Sequence, residues 1–354
     1  MTYQKLYNDA VALLQKLIAT PSISRAESDT ADLIEGWLQE RGVTTNRFKN
    51  NVWAYNLHFD AAKPTLLINS HHDTVKPNAA YTRDPFAPTI ENGLLYGLGS
   101  NDAGASAVGL LATFMHFYAD TDLTYNICIA ITGEEEVSGR EGIECILDKI
   151  GPIEFAIVGE PTLMQMAIAE RGLLVLDCTA HGKAGHAARN EGDNAIYRAL
   201  KDIEWFRTYE FPEVSELFGP VKMSVTQIEA GTQHNVVPAE CKWVVDVRVT
   251  DRYTNEQDVE HIRKRVSCDV IPRSLRLKPS YIDPSHPVVQ AGKSLGLTTF
   301  GSPTSSDQML LNVPSLKMGI GDSARSHSAD EYVGLDEIKQ GIETYINILT
   351  KVIK

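Results

Sequence analysis

Four short apolar runs set the first constraint on the fold: TLLINS (65–70), NICIAIT (126–132), FAIVGE (155–160) and SLKMGIG (315–321). Each is too short for a stable helix, and each is apolar on both faces rather than alternating. That pattern predicts central strands of a largely parallel sheet, covered on both sides. Helical patterns lie between them. In SDTADLIEGWLQERG, Leu33, Ile34, Trp37 and Leu38 share one face and Gly42 can end the helix. The N-terminal stretch places Leu6, Leu13, Leu14 and Leu17 on one side until Pro21 stops it, and Asp9 and Lys16 interrupt any apolar core, so it reads as no signal peptide. Alternating strands and helices imply an α/β fold, a mostly parallel sheet flanked by helices.

The middle of the chain has another rhythm. GLLVLDCTAHG (172–182) reads as a strand, and NAIYRALKDIEWF (194–206) as a helix with Ile196, Leu200 and Ile203 inward. Strand patterns follow at VKMSVTQIEAG (221–231) and CKWVVDVRVT (241–250). A second helix starts at a capping box, Thr254 with Gln257, and turns Val259, Ile262 and Val266 inward. SLRLKPSYI (274–282) closes the set as a strand. The order β-α-β-β-α-β is the ferredoxin-like unit. The expected division is a main domain in two parts, 1–171 and 281–354, with the module 172–280 inserted between them.

A chain of 354 residues exceeds the size at which one core stops growing, which agrees with two domains. A net charge of −13 argues against nucleic acid or an anionic membrane surface as partner. No segment approaches the ~18 continuous apolar residues of a membrane span. The five cysteines are odd in number and scattered without a C-x-x-C pair, which fits a reducing cytoplasm and offers no thiolate metal site.

Acids and histidines collect just past the predicted strand ends. HHDTV follows the first strand and supplies His71, His72 and Asp73; GEEEVSG follows the second with Glu134, Glu135 and Glu136. Glu160 follows the third, and His327 lies in SHSADEY beyond the fourth. Asp102 sits in the Gly-rich turn YGLGSNDAGAS. Sites in open α/β sheets form at the carboxyl ends of strands, so these residues are expected to converge. In extended chain, residues i and i+2 point the same way, so the Asp73 carboxylate can accept from the far nitrogen of His71 while His72 points away, packed or solvated. Three adjacent carboxylates beside an apolar strand repel one another unless a cation sits there.

The donors are nitrogen and oxygen only, which suits zinc, cobalt or manganese. Five ligands exceed the three of one open catalytic zinc and suit two divalent ions ~3.5–4 Å apart, bridged by a carboxylate. Within the glutamate triplet, one member is expected to bind metal, one to stay free as general base, and the third to be solvated.

At these residues the chain resembles the acetylornithine deacetylase, succinyl-diaminopimelate desuccinylase and aminoacylase family of dinuclear zinc hydrolases, closest to the acetylornithine branch. The carrying motifs are SHHDTV, LYGLGSNDAGA, GEEEVSG, VGEPT and HSADEY, in order along the chain. The resemblance implies His71, Asp102, Glu136, Glu160 and His327 as metal ligands, with Asp102 bridging, Asp73 orienting His71, and Glu135 as general base. The inserted module would be a lid and dimerisation domain. There HGKAGHAAR implies that His186 reaches a partner subunit's site and polarises the scissile carbonyl. AGTQHNVVPAECKWVVDVRV implies Asn235 and Arg248 near the substrate, and PTSSDQ implies Ser305 at its carboxylate. Arg248 alternates with Trp243, Val245, Val247 and Val249, so the pattern alone puts it on a polar face. Lys76 stands in TVKP where the family usually has proline, and the chain is short for the acetylornithine branch.

The resulting expectation is a cytoplasmic, homodimeric deacylase acting on a small N-acyl amino acid. N-acetylornithine or N-acetylcitrulline in arginine biosynthesis comes first. The rivals are an N-succinyl deacylase, a dipeptidase or aminopeptidase, and a metal-binding scaffold without catalysis. For a distal substrate carboxylate, Arg189, Arg248 and Arg325 are the candidate partners.

Overall fold

The computed structural model describes residues 2–189 and 191–354. The chain forms two compact units. One comprises Met1–Ile168, Tyr281–Phe300 and Ser306–Lys354; the other comprises Ala169–Ser280 with Gly301–Ser305.

In the first unit the four apolar runs become adjacent parallel strands. Thr65–His71 pairs in parallel with Asn126–Thr132 on one side and Phe155–Val158 on the other, and Ser315–Lys317 adds in parallel beyond Phe155–Val158. Every residue of these four strands is buried, which is why the runs lack alternation. Two flanking elements are antiparallel. A hairpin of Thr45–Phe48 and Asn51–Tyr55 extends one side, and Met166–Glu170 joins Ser315–Lys317 at Ala167. The helices Tyr3–Ala19, Ser28–Gln39, Ala105–Phe117 and Leu335–Ile353 contribute to the same apolar core as the sheet. Ala105–Phe117 is buried along almost its whole length, so its sequence reads apolar all round. In Ser28–Gln39 the inward residues are Ala31, Ile34, Trp37 and Leu38, with Leu33 at the margin.

The second unit is a four-stranded antiparallel sheet in the spatial order Lys222–Ala230, Glu240–Val249, Gly172–His181, Asp269–Pro272. Helices Ala195–Thr208 and Asn255–Arg263 share its core with Trp243, Val245 and Val247. This is the β-α-β-β-α-β arrangement, with two differences from the sequence expectation. The last strand is Asp269–Pro272 rather than 274–282. The carbonyls of Leu275 and Leu277 accept from Asn255 Nδ2 at 3.1 and 2.9 Å, and of the segment 274–282 only Ser280–Tyr281 is a strand, paired in the larger sheet and not in this one. In the first helix the buried stripe is Ala195, Ala199, Asp202 and Phe206, and Leu200 is 53% exposed beside Tyr197 at 68%. Small residues let this helix approach the sheet, which turns the large Leu200 outward. The second helix buries Val259 and Ile262 as expected and keeps its capping box at Thr254 and Gln257.

Among the described residues, no helix is long and apolar enough to cross a membrane.

Candidate metal centre

His71 is the last residue of its strand and stands opposite Thr132, the last residue of the next. The two chains therefore leave the sheet together, and the residues that follow them meet. His71 is 1% exposed. Its Nδ1–H donates to the main-chain carbonyl of Asp73 at 2.9 Å, which leaves the Nε2 lone pair facing outward. Among the described residues the buried Nε2 has no hydrogen-bond partner. Three carboxylate oxygens surround it instead: Asp102 Oδ1 at 3.4 Å, Glu160 Oε1 at 3.7 Å and Glu135 Oε2 at 3.8 Å. A buried histidine with its lone pair aimed at a ring of carboxylates is the arrangement a divalent cation satisfies.

A second half adjoins the first. His327 Nε2 lies 2.8 Å from Glu136 Oε2 and 3.7 Å from Asp102 Oδ2. Asp102 thus turns one oxygen to each histidine. Ligand atoms of His71, Asp102 and Glu136 lie within 4.8 Å of one another, as do those of His71, Glu135 and Glu160. All six residues belong to the first unit.

Charge follows from this crowding. Burial pushes the Glu135 carboxyl well above the usual range, and the charges of Glu160, Asp307 and Glu136 push the same way against His71. Burial alone would lower His71, but Asp102, Asp73, Glu135 and Glu160 together hold it well above its ordinary value. Glu136 raises His327 to about 9. Asp102 is held low, burial being outweighed by the two histidines and Ser326. So many carboxylates in so small a volume need positive charge, which protons can supply weakly and two divalent cations strongly.

Several finer expectations change. The Asp73 carboxylate is not the hydrogen-bond acceptor of His71: its Oδ1 stands 3.5 Å from Nδ1, and the carbonyl of the same residue takes that role. The carboxylate instead accepts the N–H of Glu135 at 3.1 Å and of Glu136 at 3.3 Å. Asp73 therefore orients the glutamate turn as well as the histidine. His72 points away as expected and is packed: it donates Nε2–H to the Asn50 carbonyl at 2.8 Å and meets Thr30 Oγ1 at 2.8 Å. Burial pushes it down to about 4, so it is neutral at pH 7. Glu134 is not solvated but 8% exposed, and its carboxylate accepts the Glu141 N–H at 3.2 Å. It fills the space over Gly139, where an added Cβ would lie 1.8 Å from Oε2.

The remaining predicted residues lie in the second unit. A two-stranded ribbon pairs Gly185–His186 with Val236–Val237, and Ala187 N–H donates to the Asn235 carbonyl at 3.0 Å. His186 and Asn235 are thereby neighbours, both exposed. Nδ1 of His186 accepts the Ala188 N–H at 3.1 Å, so its proton sits on Nε2. Arg248 is engaged by Asp246 at 2.8 and 3.0 Å, a fork between neighbours on one strand face. Ser305 ends the segment Gly301–Ser305 and is partly exposed.

Three residues near the metal centre escaped sequence reasoning. Glu331 accepts the N–H groups of Gly99, Asn101 and Asp102; its place in HSADEY was the available signal. Asp307 accepts from Thr132 Oγ1 at 2.8 Å, and Ser24 donates to Asp73. Neither carries a spacing that marks it.

The chain is 26% identical to succinyl-diaminopimelate desuccinylase 2 of Ruegeria sp. (strain TM1040), over 96% of this chain and 94% of that one. It is 30% identical to the succinyl-diaminopimelate desuccinylase of Cereibacter sphaeroides, over 70% and 69% of the two chains. Among solved structures, the Bacillus subtilis YXEP protein, a dinuclear metal binding peptidase from the M20 family, superposes with a TM-score of 0.74 at 15% identity, covering 98% of this chain and 99% of that one. The family model of peptidase family M20/M25/M40 matches residues 67–351, which span the whole metal centre, and the chain belongs to that family.

Proposed function

We propose that the protein hydrolyses the amide bond of an N-acyl amino acid with two divalent cations, zinc first and cobalt or manganese on the same donors. His71, Asp102 and Glu160 would hold one, and Asp102, Glu136 and His327 the other. The observation that carries this reading is Asp102, whose two oxygens face His71 Nε2 at 3.4 Å and His327 Nε2 at 3.7 Å. Bound there, the cations would polarise the acyl carbonyl and make water acidic near neutral pH. Glu135 takes the proton of the attacking water and passes it to the departing amide nitrogen. Its raised proton affinity and its place beside His71 and Glu160 suit it to that task. Asp73 keeps the Glu135 and Glu136 N–H groups in place throughout.

His186 presents an exposed Nε2–H, and we assign it as a donor to the acyl oxygen, supplied by a partner subunit with Asn235 beside it. The homodimer would form through the second unit. The edge strand Lys222–Ala230, with Ile228 59% exposed, and the outward Tyr197 and Leu200 support that surface.

For the acyl group, succinyl comes first, because both curated relatives above are succinyl-diaminopimelate desuccinylases. The expectation of acetylated ornithine or citrulline in arginine biosynthesis draws no support from them. A succinyl group brings a distal carboxylate that needs a cation. Arg325 is forked to Glu337 and Arg248 to Asp246, whereas among the described residues the Arg189 side chain meets only Glu191, at 3.9 Å, and its backbone N–H donates to the His186 carbonyl. We therefore assign Arg189 as its partner, with Arg248 and Ser305 as further substrate contacts. The test is a panel on zinc-loaded protein: N-succinyl-L,L-diaminopimelate, N-acetylornithine, N-acetylcitrulline and an unblocked dipeptide. Preferential release of succinate supports the reading, and hydrolysis of the dipeptide alone overturns it.

A further inference from the structure

The loop that follows the N-terminal helix runs beside the turn carrying Glu135 and Glu136. It is stitched to the chain just past Asp73: Thr74 N–H donates to the Ser22 carbonyl at 2.8 Å, and Ser24 N–H to the Thr74 carbonyl at 3.1 Å. From that position the Ser24 hydroxyl donates to Asp73 Oδ2 at 2.7 Å. The same carboxylate, 0% exposed, receives Glu135 N–H on Oδ1 and Glu136 N–H on Oδ2. At the far end of the loop Glu27, 1% exposed, packs against Gly133, where an added Cβ would come within 2.3 Å of Oε1. The glutamate turn is thus gripped at Gly133 and at Asp73, both times by this one loop.

A carboxylate turns broadly about its last torsion, so two N–H groups alone leave it latitude. A third donor, on the oxygen shared with Glu136, removes that latitude. We infer that Ser24 is a positioning residue for the hydrolysis: through Asp73 it sets the turn that aims Glu135 and Glu136. This rests on the assignment of Glu135 as proton carrier. It adds a residue that no ligand motif contains and that touches neither substrate nor metal.

The test compares Ser24→Ala and Ser24→Thr with the parent in the full chain. Zinc-loaded proteins are assayed on N-succinyl-L,L-diaminopimelate, and metal-free proteins are titrated with cobalt(II) followed by visible absorption. Ser24→Ala should lose ~10-fold to 100-fold in kcat, the range for groups that orient a metal centre from behind, with KM and Tm unchanged. Ser24→Thr, which keeps the hydroxyl, should restore turnover. Parental turnover in Ser24→Ala overturns the inference, as does a loss that follows a lowered Tm and is not restored by threonine. If the parent cleaves no N-acyl substrate, the functional reading fails by itself and the cobalt titration decides. Weaker binding or an altered band in Ser24→Ala that threonine restores upholds the role of Ser24, and identical titrations refute it.

Discussion

Glu331 Oε1 accepts the main-chain N–H of Asp102 at 2.9 Å, together with that of Asn101 at 2.8 Å, while its second oxygen takes Gly99 N–H at 3.0 Å. The residue that clamps the Asp102 turn thus stands four positions after His327, the histidine at the other side of Asp102. Loop and ligand are set by one short segment.

Glu331→Gln tests that clamp. An amide can accept on one side only, so its NH₂ would face a backbone N–H and the turn would shift. Zinc affinity should fall by ~10-fold or more, as for other groups that orient ligands. Calorimetric titration reads it, and unchanged affinity would show that the turn holds Asp102 unaided.

Glu135→Gln should keep the fold and the metal but lose ~10²–10⁴ in kcat, because in the proposed reaction it removes the proton carrier of both half-steps. Glu134→Gln should retain most turnover, since Glu134 serves the Glu141 N–H and not the ligand cluster. A loss in Glu134→Gln equal to that in Glu135→Gln would mean the roles are misassigned.

Asp258 offers a pH test away from the metals. It is 0% exposed, neither oxygen has a hydrogen-bond partner among the described residues, and burial pushes it up to about 7. An acid whose folded value is raised takes up a proton on folding, so its unfavourable contribution is absent at low pH, grows between about pH 4 and 7, and is complete above. Asp258→Asn should therefore match the parent near pH 4 and exceed it at pH 8, by on the order of 3 kcal/mol. Melting curves at the two pH values measure this, and a gain at pH 4 equal to that at pH 8 would contradict it.

The central strands were legible because burial on both faces leaves no polar alternation, and the convergence of acids and histidines because His71, Glu135, Glu136 and Glu160 lie at or just past the ends of central strands. The hairpin Thr45–Phe48/Asn51–Tyr55 was not, since its outer strand is only half-buried and its turn depends on Lys49 at a φ of 56°. The strand Asp269–Pro272 was misplaced because the more strand-like segment after it binds the Asn255 side chain through the Leu275 and Leu277 carbonyls and ends in a strand of the other sheet, Ser280–Tyr281. Glu134 looked like a surplus charge because its burial depends on bare backbone at Gly139. Ser24 was invisible because its partner Asp73 lies 49 residues away and nothing local marks the pairing.

The central claim is that Asp102 joins two cations, and counting bound zinc tests it most directly. After dialysis against trace zinc, the parent and His72→Ala should each retain two ions per chain, because His72 faces Thr30 and Asn50. Asp102→Ala should retain one or none. One ion per chain in the parent, or equal loss from His72→Ala and Asp102→Ala, would contradict the account.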